Sequence, residues 1–391
     1  MQRANRAVTF QELYARARLY MRYHVIISVL LLGAATGLFL LNINSFLRQS
    51  GVVVNGSSPP TRRSGADAPY KDESESRSLV KKLTRRAIAE NAVPDRLLTV
   101  VILTRDRPWS LERLLVSLSA ARYDQGVRVN LILRQDLPAN GVLCQDTARI
   151  IRRLYWPHGS VDHAIEQAPR GPMRMWLGAY APSGPTDYFL VLEDDMEVSR
   201  FYCRWVLAAL DRFRLDSTVF AVSASKPELR GRDPLGLGPV QSSIPAGTTH
   251  VKYRMPTPDA LAPVPRHWNA FRTWAVKMLD SDGFDPTLTE EVDVRDLRPF
   301  EIYREMRAIG RQELAWTAFL VRYTFEVGQS TVYPWTPTGA SLARSWDEPD
   351  ALTRHGRGPT SDLLAVWDPA LVRWNPRAGV RLDYTGRPMS P

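Results

Sequence analysis

Cysteine is almost missing from this chain: 391 residues carry two, Cys144 and Cys203. At most one disulfide can form, and two thiols are too few for a cysteine-built zinc site. Two phosphate-binding signatures are also missing. No Gly-x-Gly-x-x-Gly run occurs, and no Gly-rich loop ends in Gly-Lys-Ser or Gly-Lys-Thr. This disfavours a dinucleotide oxidoreductase and a P-loop NTPase. Acidic residues are in deficit, 41 Asp and Glu against 51 Lys and Arg, for a formal net charge of +10. The surplus would steer anionic ligands such as nucleotide diphosphates or lipid head groups. It does not indicate nucleic acid, because neither a recognition motif nor a concentrated basic block accompanies it. No internal repeat is present.

What is there begins with one long apolar run. Residues 25–41 carry no charge, and with Ile43 the stretch reaches the length a helix needs to cross a bilayer. Arg3, Arg6, Arg16, Arg18 and Arg22 precede it against Glu12 alone, and Arg48 follows. The positive-inside rule predicts a cytosolic tail (1–24), a signal anchor (25–43) and the remainder of the chain across the membrane. The charged region is long for a cleaved signal peptide, and no small-x-small cleavage site follows. Residues 44–94 are then expected as a stem. Ser57-Ser58-Pro59-Pro60 and Asp72-Glu73-Ser74-Glu75-Ser76 bury too little apolar surface to fold, and Asn55-Gly56-Ser57 is a glycosylation sequon on the luminal side.

A folded domain follows. Leu97 to Leu103 is apolar and β-branched, the pattern of a central parallel strand, and it ends in Thr104-Arg105-Asp106-Arg107-Pro108. Leu111, Leu114, Leu115 and Leu118 place a helix next, with Ser110 as its expected N-cap. Residues 127–133 predict a second strand, completing a β-α-β unit. Tyr188 to Leu192 predicts another strand, and helix 200–215 and strand 219–223 continue the alternation. In such sheets ligands bind outside the carboxyl ends of the strands, so loop 104–108 and the end of strand 188–192 are expected to share a cleft.

The strand at 188–192 runs directly into Glu193-Asp194-Asp195. Three adjacent carboxylates at a strand end near a core repel one another, and hard Mg²⁺ or Mn²⁺ would remove the conflict. An acidic turn capping the helix that starts near Arg200 fits the same residues.

In their order these features resemble the GT-A class of nucleotide-sugar glycosyltransferases: an anchor, a stem, a strand ending in Thr-Arg-Asp-Arg-Pro, and an apolar strand ending in Glu-Asp-Asp. Val191 to Val198 is similar to the metal-binding segment of the N-acetylglucosaminyltransferase I family. Closer still is a similarity to family-2-like glycosyltransferases known from plants, which share the acidic motif and a C-terminal Trp-Thr block followed by a Ser-rich segment. The resemblance covers roughly residues 96–365. It implies an α/β GT-A domain over 95–345, with a Rossmann-like mixed central sheet flanked by helices, and a C-terminal closing segment over 346–391.

It also implies roles. Asp195 would ligate Mn²⁺ or Mg²⁺, and Glu193 and Asp194 would contact the ribose or water on the metal. Asp106 would lie near the nucleotide base, with Thr104 beside it, and Arg105 or Arg107 would pair with phosphate. Glu313, just before an apolar helix expected over Leu314 to Leu320 that would fix its carboxylate, would be the general base on the acceptor hydroxyl. Glu290, Glu291 and Asp293 form a rival acidic cluster in a loop-like setting. His355, flanked by Gly356 and Gly358, would be a further metal ligand. Seven of eleven Trp fall after residue 260, but no one of them stands out as a sugar platform.

The expectation is a single-pass type II Golgi membrane glycosyltransferase. It would move a sugar from a nucleotide diphosphate donor, a UDP-sugar, to a glycan or glycoconjugate with inversion. Two other readings fit the same motifs: an inactive GT-A domain serving as a luminal assembly subunit, and a membrane-anchored nucleotidyltransferase.

Overall fold

The apolar run after Arg96 forms β1 (Arg96–Thr104), buried without a break from Leu98 onward. A strand with no exposed face needs cover on both sides, and it has it. Leu98, Val100 and Ile102 pack into one core cluster with Leu111, Leu114, Leu115 and Leu118 of α1 (Pro108–Ser119). Val101 and Leu103 point into a second cluster, on the opposite face of the sheet.

Pro108 starts α1, where its fixed φ suits the first turn and its missing N–H costs nothing. Ser110 is therefore buried inside the first turn and is not the N-cap. Arg107 occupies that place, and no side chain caps the helix.

The computed structural model describes residues 96–227, 244–281, 283–289, 295–347, 358–374 and 379–389. They belong to one compact unit, Ala87–Pro391. The expected tail, span, stem and sequon, together with Glu290, Glu291, Asp293 and His355, lie outside the described residues. Among the described residues no helix is long and apolar enough to cross a membrane.

Past α1 come β2 (Val127–Gln135), α2 (Gln145–Arg152), β3 (Val161–Ile165), α3 (Gly171–Leu177), β4 (Tyr188–Glu193) and β5 (Met196–Val198). Then follow α4 (Tyr202–Phe213), β6 (Val219–Ser223), β7 (His250–Tyr253), β8 (Leu261–Pro263), α5 (Pro265–Leu279) and α6 (Arg298–Ala308). A 3-10 turn (Gln312–Leu314) precedes α7 (Thr317–Glu326), β9 (Ser330–Pro334), β10 (Ala343–Asp347), β11 (Gly358–Pro359) and β12 (Gly379–Leu382).

One nine-stranded sheet runs β12-β7-β9-β6-β8-β4-β1-β2-β3. It is mixed: β1 is parallel to β2 and β4, whereas β8 is antiparallel to β4 and β6. The α/β class with a mixed central sheet between helices is thus observed. The chain moves outward from β1 to β2 and β3, then returns to place β4 on the other side of β1. The carboxyl ends of β1 and β4 therefore form a topological switch point, where a crevice opens in such sheets.

A smaller sheet, β11-β10-β5, ties the C-terminal part of the chain to the segment following β4. The expected division between residues 345 and 346 falls inside β10, and β12 joins the main sheet, so the C-terminal segment is built into both sheets. Cys144 and Cys203 are both free thiols.

One loop lies unusually close to the sheet. A Cβ added at Gly159 would sit 2.2 Å from the Val129 carbonyl oxygen. That oxygen belongs to backbone already bonded to the loop, Val129 N–H donating to His158 O at 2.8 Å. Gly159→Ala should lower unfolding free energy by about 1–3 kcal/mol, the usual cost of overpacking. Urea denaturation giving an unchanged midpoint would show that the loop can move away freely.

Candidate functional site

At the switch point the chain builds a cleft of about 650 Å³. The first wall comes from the end of β1 and the loop after it. Thr104, the last residue of β1, is buried, and its hydroxyl donates to Asp194 Oδ2 at 2.8 Å. Arg105 and Asp106 are exposed at the lip and pair with each other at 3.1 Å, a contact of little energetic weight in water. Arg107 turns inward. It forms an ion pair with Asp194 and reaches Asp195 Oδ2 with Nη1 at 3.4 Å.

The facing wall is the acidic triplet. Glu193 ends β4, opposite Leu103 in the parallel register. Asp194 donates its N–H to the Leu103 carbonyl at 3.1 Å, so the turn is hung from β1. The Asp194 and Asp195 side chains are therefore carried below the surface, with residue exposures of 1% and 6%. Glu193 is turned toward α3, where Oε1 accepts the Trp176 indole N–H at 2.7 Å. Loop 104–108 and all three acidic residues thus share one cleft.

The electrostatics follow from burial. Desolvation, then repulsion from Asp195, pushes the Glu193 carboxyl up to about 7. The Trp176 hydrogen bond and Arg107 hold it back, while Asp259, on the far wall, adds to the rise. Desolvation also lifts Asp194 to about 6, against the opposing pull of Arg107. Burial alone would lower the Arg107 guanidinium, but Asp194, Asp195 and Glu193 outweigh it and hold it above its ordinary value. Arg107 alone is shared among the three carboxylates of the triplet, and the cleft lining as a whole carries six carboxyl groups, Asp106, Asp136, Glu193, Asp194, Asp195 and Asp259, against four arginines, Arg105, Arg107, Arg298 and Arg311.

Among the described residues no three His, Cys, Asp or Glu side chains converge as a ready-made metal cage. A cation at this cleft would need substrate phosphates or water to complete its shell around the oxygens of Asp194 and Asp195. The donor set fits such a cation: hard oxygens in excess of their counter-charge, opening on a cleft.

Glu313 lies elsewhere than the apolar run suggests. The run does not form one helix. A 3-10 turn carries Gln312–Leu314, the chain leaves helical geometry at Ala315, and α7 starts only at Thr317. Glu313 is exposed, with its Cγ 3.8 Å from where a Cβ on Gly171 would be, and it is not part of the cleft lining. Its neighbours Leu314, Ala315, Trp316 and Thr317 do line the cleft.

Sequence reasoning missed several cleft residues. Trp176 and Trp316 stack with centroids 4.3 Å apart and planes 23° from parallel. Asp136 is buried and accepts three backbone N–H groups, from Leu137 at 2.9 Å, Arg170 at 2.8 Å and Gly171 at 2.9 Å. It fixes the loop that leads into α3 and so places Trp176. Asp259 precedes Ala260, a buried non-glycine residue at φ 45°. Such a backbone persists only where its surroundings over-determine it. None of these has a local signal, because each depends on a partner distant in sequence.

No protein-family model matches the chain, and no curated protein matches it. Among solved structures it is similar to S. aureus TarS 1-349 in complex with UDP, at 13% identity and a TM-score of 0.26. That likeness covers 32% of this chain and 34%, about a third, of that TarS chain. The mannosyltransferase PcManGT from Pyrobaculum calidifontis, in complex with GDP-Man and Mn²⁺, is similar at 13% identity and a TM-score of 0.31. Here 65% of this chain and 81% of PcManGT are covered. A second TarS 1-349 structure shows 10% identity and a TM-score of 0.32 over 68% of this chain and 99% of that one.

Proposed function

We propose that the chain is a metal-dependent glycosyltransferase of GT-A type. It would transfer a sugar from a nucleotide diphosphate-sugar, a UDP-sugar, to a glycan or glycoconjugate hydroxyl with inversion. The single observation that carries this is the pair of buried carboxylates, Asp194 and Asp195, facing Arg107 across the switch-point cleft. A site short of positive charge, on the ligand-binding edge of the sheet, suits an anion that arrives together with a divalent cation. The N-terminal run and its arginines support a type II Golgi protein with the domain in the lumen. The sequon at Asn55 supports glycosylation of its stem.

In this reading Asp195 holds the cation and Asp194 orients Arg107. When bound, Mn²⁺ or Mg²⁺ supplies Lewis-acid neutralisation of the charge that develops on the leaving diphosphate. Arg107 would pair with phosphate as well. Asp106 and Arg105, at the lip, lie on the nucleotide side, and Thr104 holds Asp194 from below. Glu313 takes the acceptor proton. Glu313 is exposed and outside the cleft lining, next to Leu314, which is part of it. His355 is a further proposed ligand.

Thermal denaturation with a panel of UDP- and GDP-sugars tests the reading. With Mn²⁺ and a saturating cognate donor, Tm should rise by roughly 5 °C, and chelation should abolish the rise. No shift with any sugar nucleotide would support the inactive-domain reading. Release of pyrophosphate from a nucleoside triphosphate would support the nucleotidyltransferase. Once the donor is known, Glu313→Gln should lower turnover about 100-fold or more, with donor affinity unchanged. Loss of donor binding instead would remove Glu313 from the base role.

A further inference from the structure

The turn that carries Asp195 is tied at both ends. On one side the Asp194 N–H is bonded to β1, as above. On the other, the Asp195 carbonyl accepts the Trp346 N–H of β10 at 2.9 Å. Beyond the turn β5 runs antiparallel to β10, with Met196 opposite Ser345 and Glu197 opposite Arg344.

Glu197 is the hub of this pairing. Its Oε2 accepts from Arg344 Nε at 2.9 Å, Arg344 Nη2 at 2.7 Å and the Trp346 indole N–H at 2.9 Å. The Arg344 and Glu197 side chains are only 16% and 21% exposed, so solvent screens the pair weakly. Arg344 also donates through Nη1 to the Ser361 carbonyl at 3.0 Å. The Trp346 ring carries two guanidinium groups, Arg113 at 4.3 Å and Arg344 at 5.4 Å from its centroid. Charge-assisted hydrogen bonds and cation–π contacts are among the stronger polar contacts available to a side chain. Here they converge on one strand pair, which begins where the acidic turn ends.

We propose that Glu197, Arg344 and Trp346 are positioning residues for the Asp195 carboxylate. They hold the backbone of the acidic turn against β10, so that Asp195 keeps one direction in the cleft, and they touch neither donor nor cation. The inference rests on the metal–diphosphate reading above. Partners that orient a ligating carboxylate from behind commonly matter about 10–100-fold in metal affinity.

The test uses the purified full-length chain with UDP present. Mn²⁺ binding is followed by the electron paramagnetic resonance signal of free Mn²⁺, and Tm is measured in parallel. Glu197→Gln removes the charge from the hub and should weaken Mn²⁺ binding about 10–100-fold, with a changed spectrum for the bound ion. Glu197→Asp keeps the charge and should recover part of the loss. Trp346→Phe keeps a ring over Arg113 but lacks the indole N–H, and should weaken binding less. If Glu197→Gln does not fold, Trp346→Phe decides.

A purely structural tie would lower Tm yet leave the folded protein's Mn²⁺ affinity within about twofold of the parent. That result overturns the inference. Asp195→Ala separates the two claims. If it alone loses Mn²⁺, positioning by Glu197 is wrong and the metal reading stands. If it binds Mn²⁺ like the parent, the metal reading itself fails.

Discussion

Asp195→Ala should reduce metal-dependent donor turnover on the order of 100- to 1,000-fold, and it should do so without weakening the fold. Both halves of that outcome follow from the same electrostatics. Asp195 is buried at the cleft, within 3.4 Å of Arg107, and it raises the pKa of both neighbouring carboxyls. In the apoprotein its repulsion of Glu193 and Asp194 opposes its pairing with Arg107. Removing it leaves Arg107 to Asp194 and Glu193 and relieves repulsion on each. At neutral pH the denaturation midpoint of the apo variant should equal or exceed that of the parent. A residue kept at a cost to the fold is kept for something other than the fold. Donor turnover within a few-fold of the parent would refute the metal role. A collapse in the denaturation midpoint would instead mark Asp195 as structural.

The parts of this site legible in the sequence are those whose physics is local. β1 and β4 read as buried strands because each carries a nearly continuous apolar run, Leu97 to Leu103 and Tyr188 to Leu192, and the structure covers both their faces. The acidic triplet stood out because three carboxylates directly follow such a strand. A cleft shared with loop 104–108 is expected from the general rule for strand ends, and the parallel β1–β4 pairing is what brings the two together.

Long-range partners left no such mark. Trp176 reaches Glu193 across 17 residues of sequence and Glu197 meets Arg344 across 147. An indole N–H or a surface-looking arginine carries no sign of where its partner lies. The segment 314–320 misled for a different reason. Its apolar run has helical character throughout, but stacking Trp316 on Trp176 is accompanied by a break at Ala315, so Glu313 ends on its own short turn. Ser110 misled because Pro108, a stronger helix starter, lies two residues earlier.

Arg107→Ala should markedly destabilise the apo fold at alkaline pH. It removes the one guanidinium paired with Asp194 and leaves that buried carboxylate with the Thr104 hydroxyl. Breaking a buried pair from one side typically costs about 3–5 kcal/mol, because a charge is stranded. The cost depends on pH, and its sign is determined. In the parent, burial already holds Asp194 at about 6 and Glu193 at about 7, above their unfolded values. Groups raised on folding favour the native state while protonated, and that contribution is lost as pH rises through the folded pKa. These two carboxyls should therefore add stability on acidification from about pH 8 to about pH 5, while burial of His158, His163, His250 and His267, which lowers each of them, acts the other way and is common to parent and variant. Without Arg107 both carboxyls rise further, so the variant should gain more over the same interval, and its deficit should shrink. At about pH 8, saturating Mn²⁺ should restore much of what the guanidinium supplied, since either cation neutralises the same oxygens. Urea denaturation of both proteins at the two pH values, with and without Mn²⁺, reads all of this. A deficit that neither pH nor Mn²⁺ changes would mean that Arg107 stabilises the loop by packing, and that charge balance in the cleft is not what it supplies.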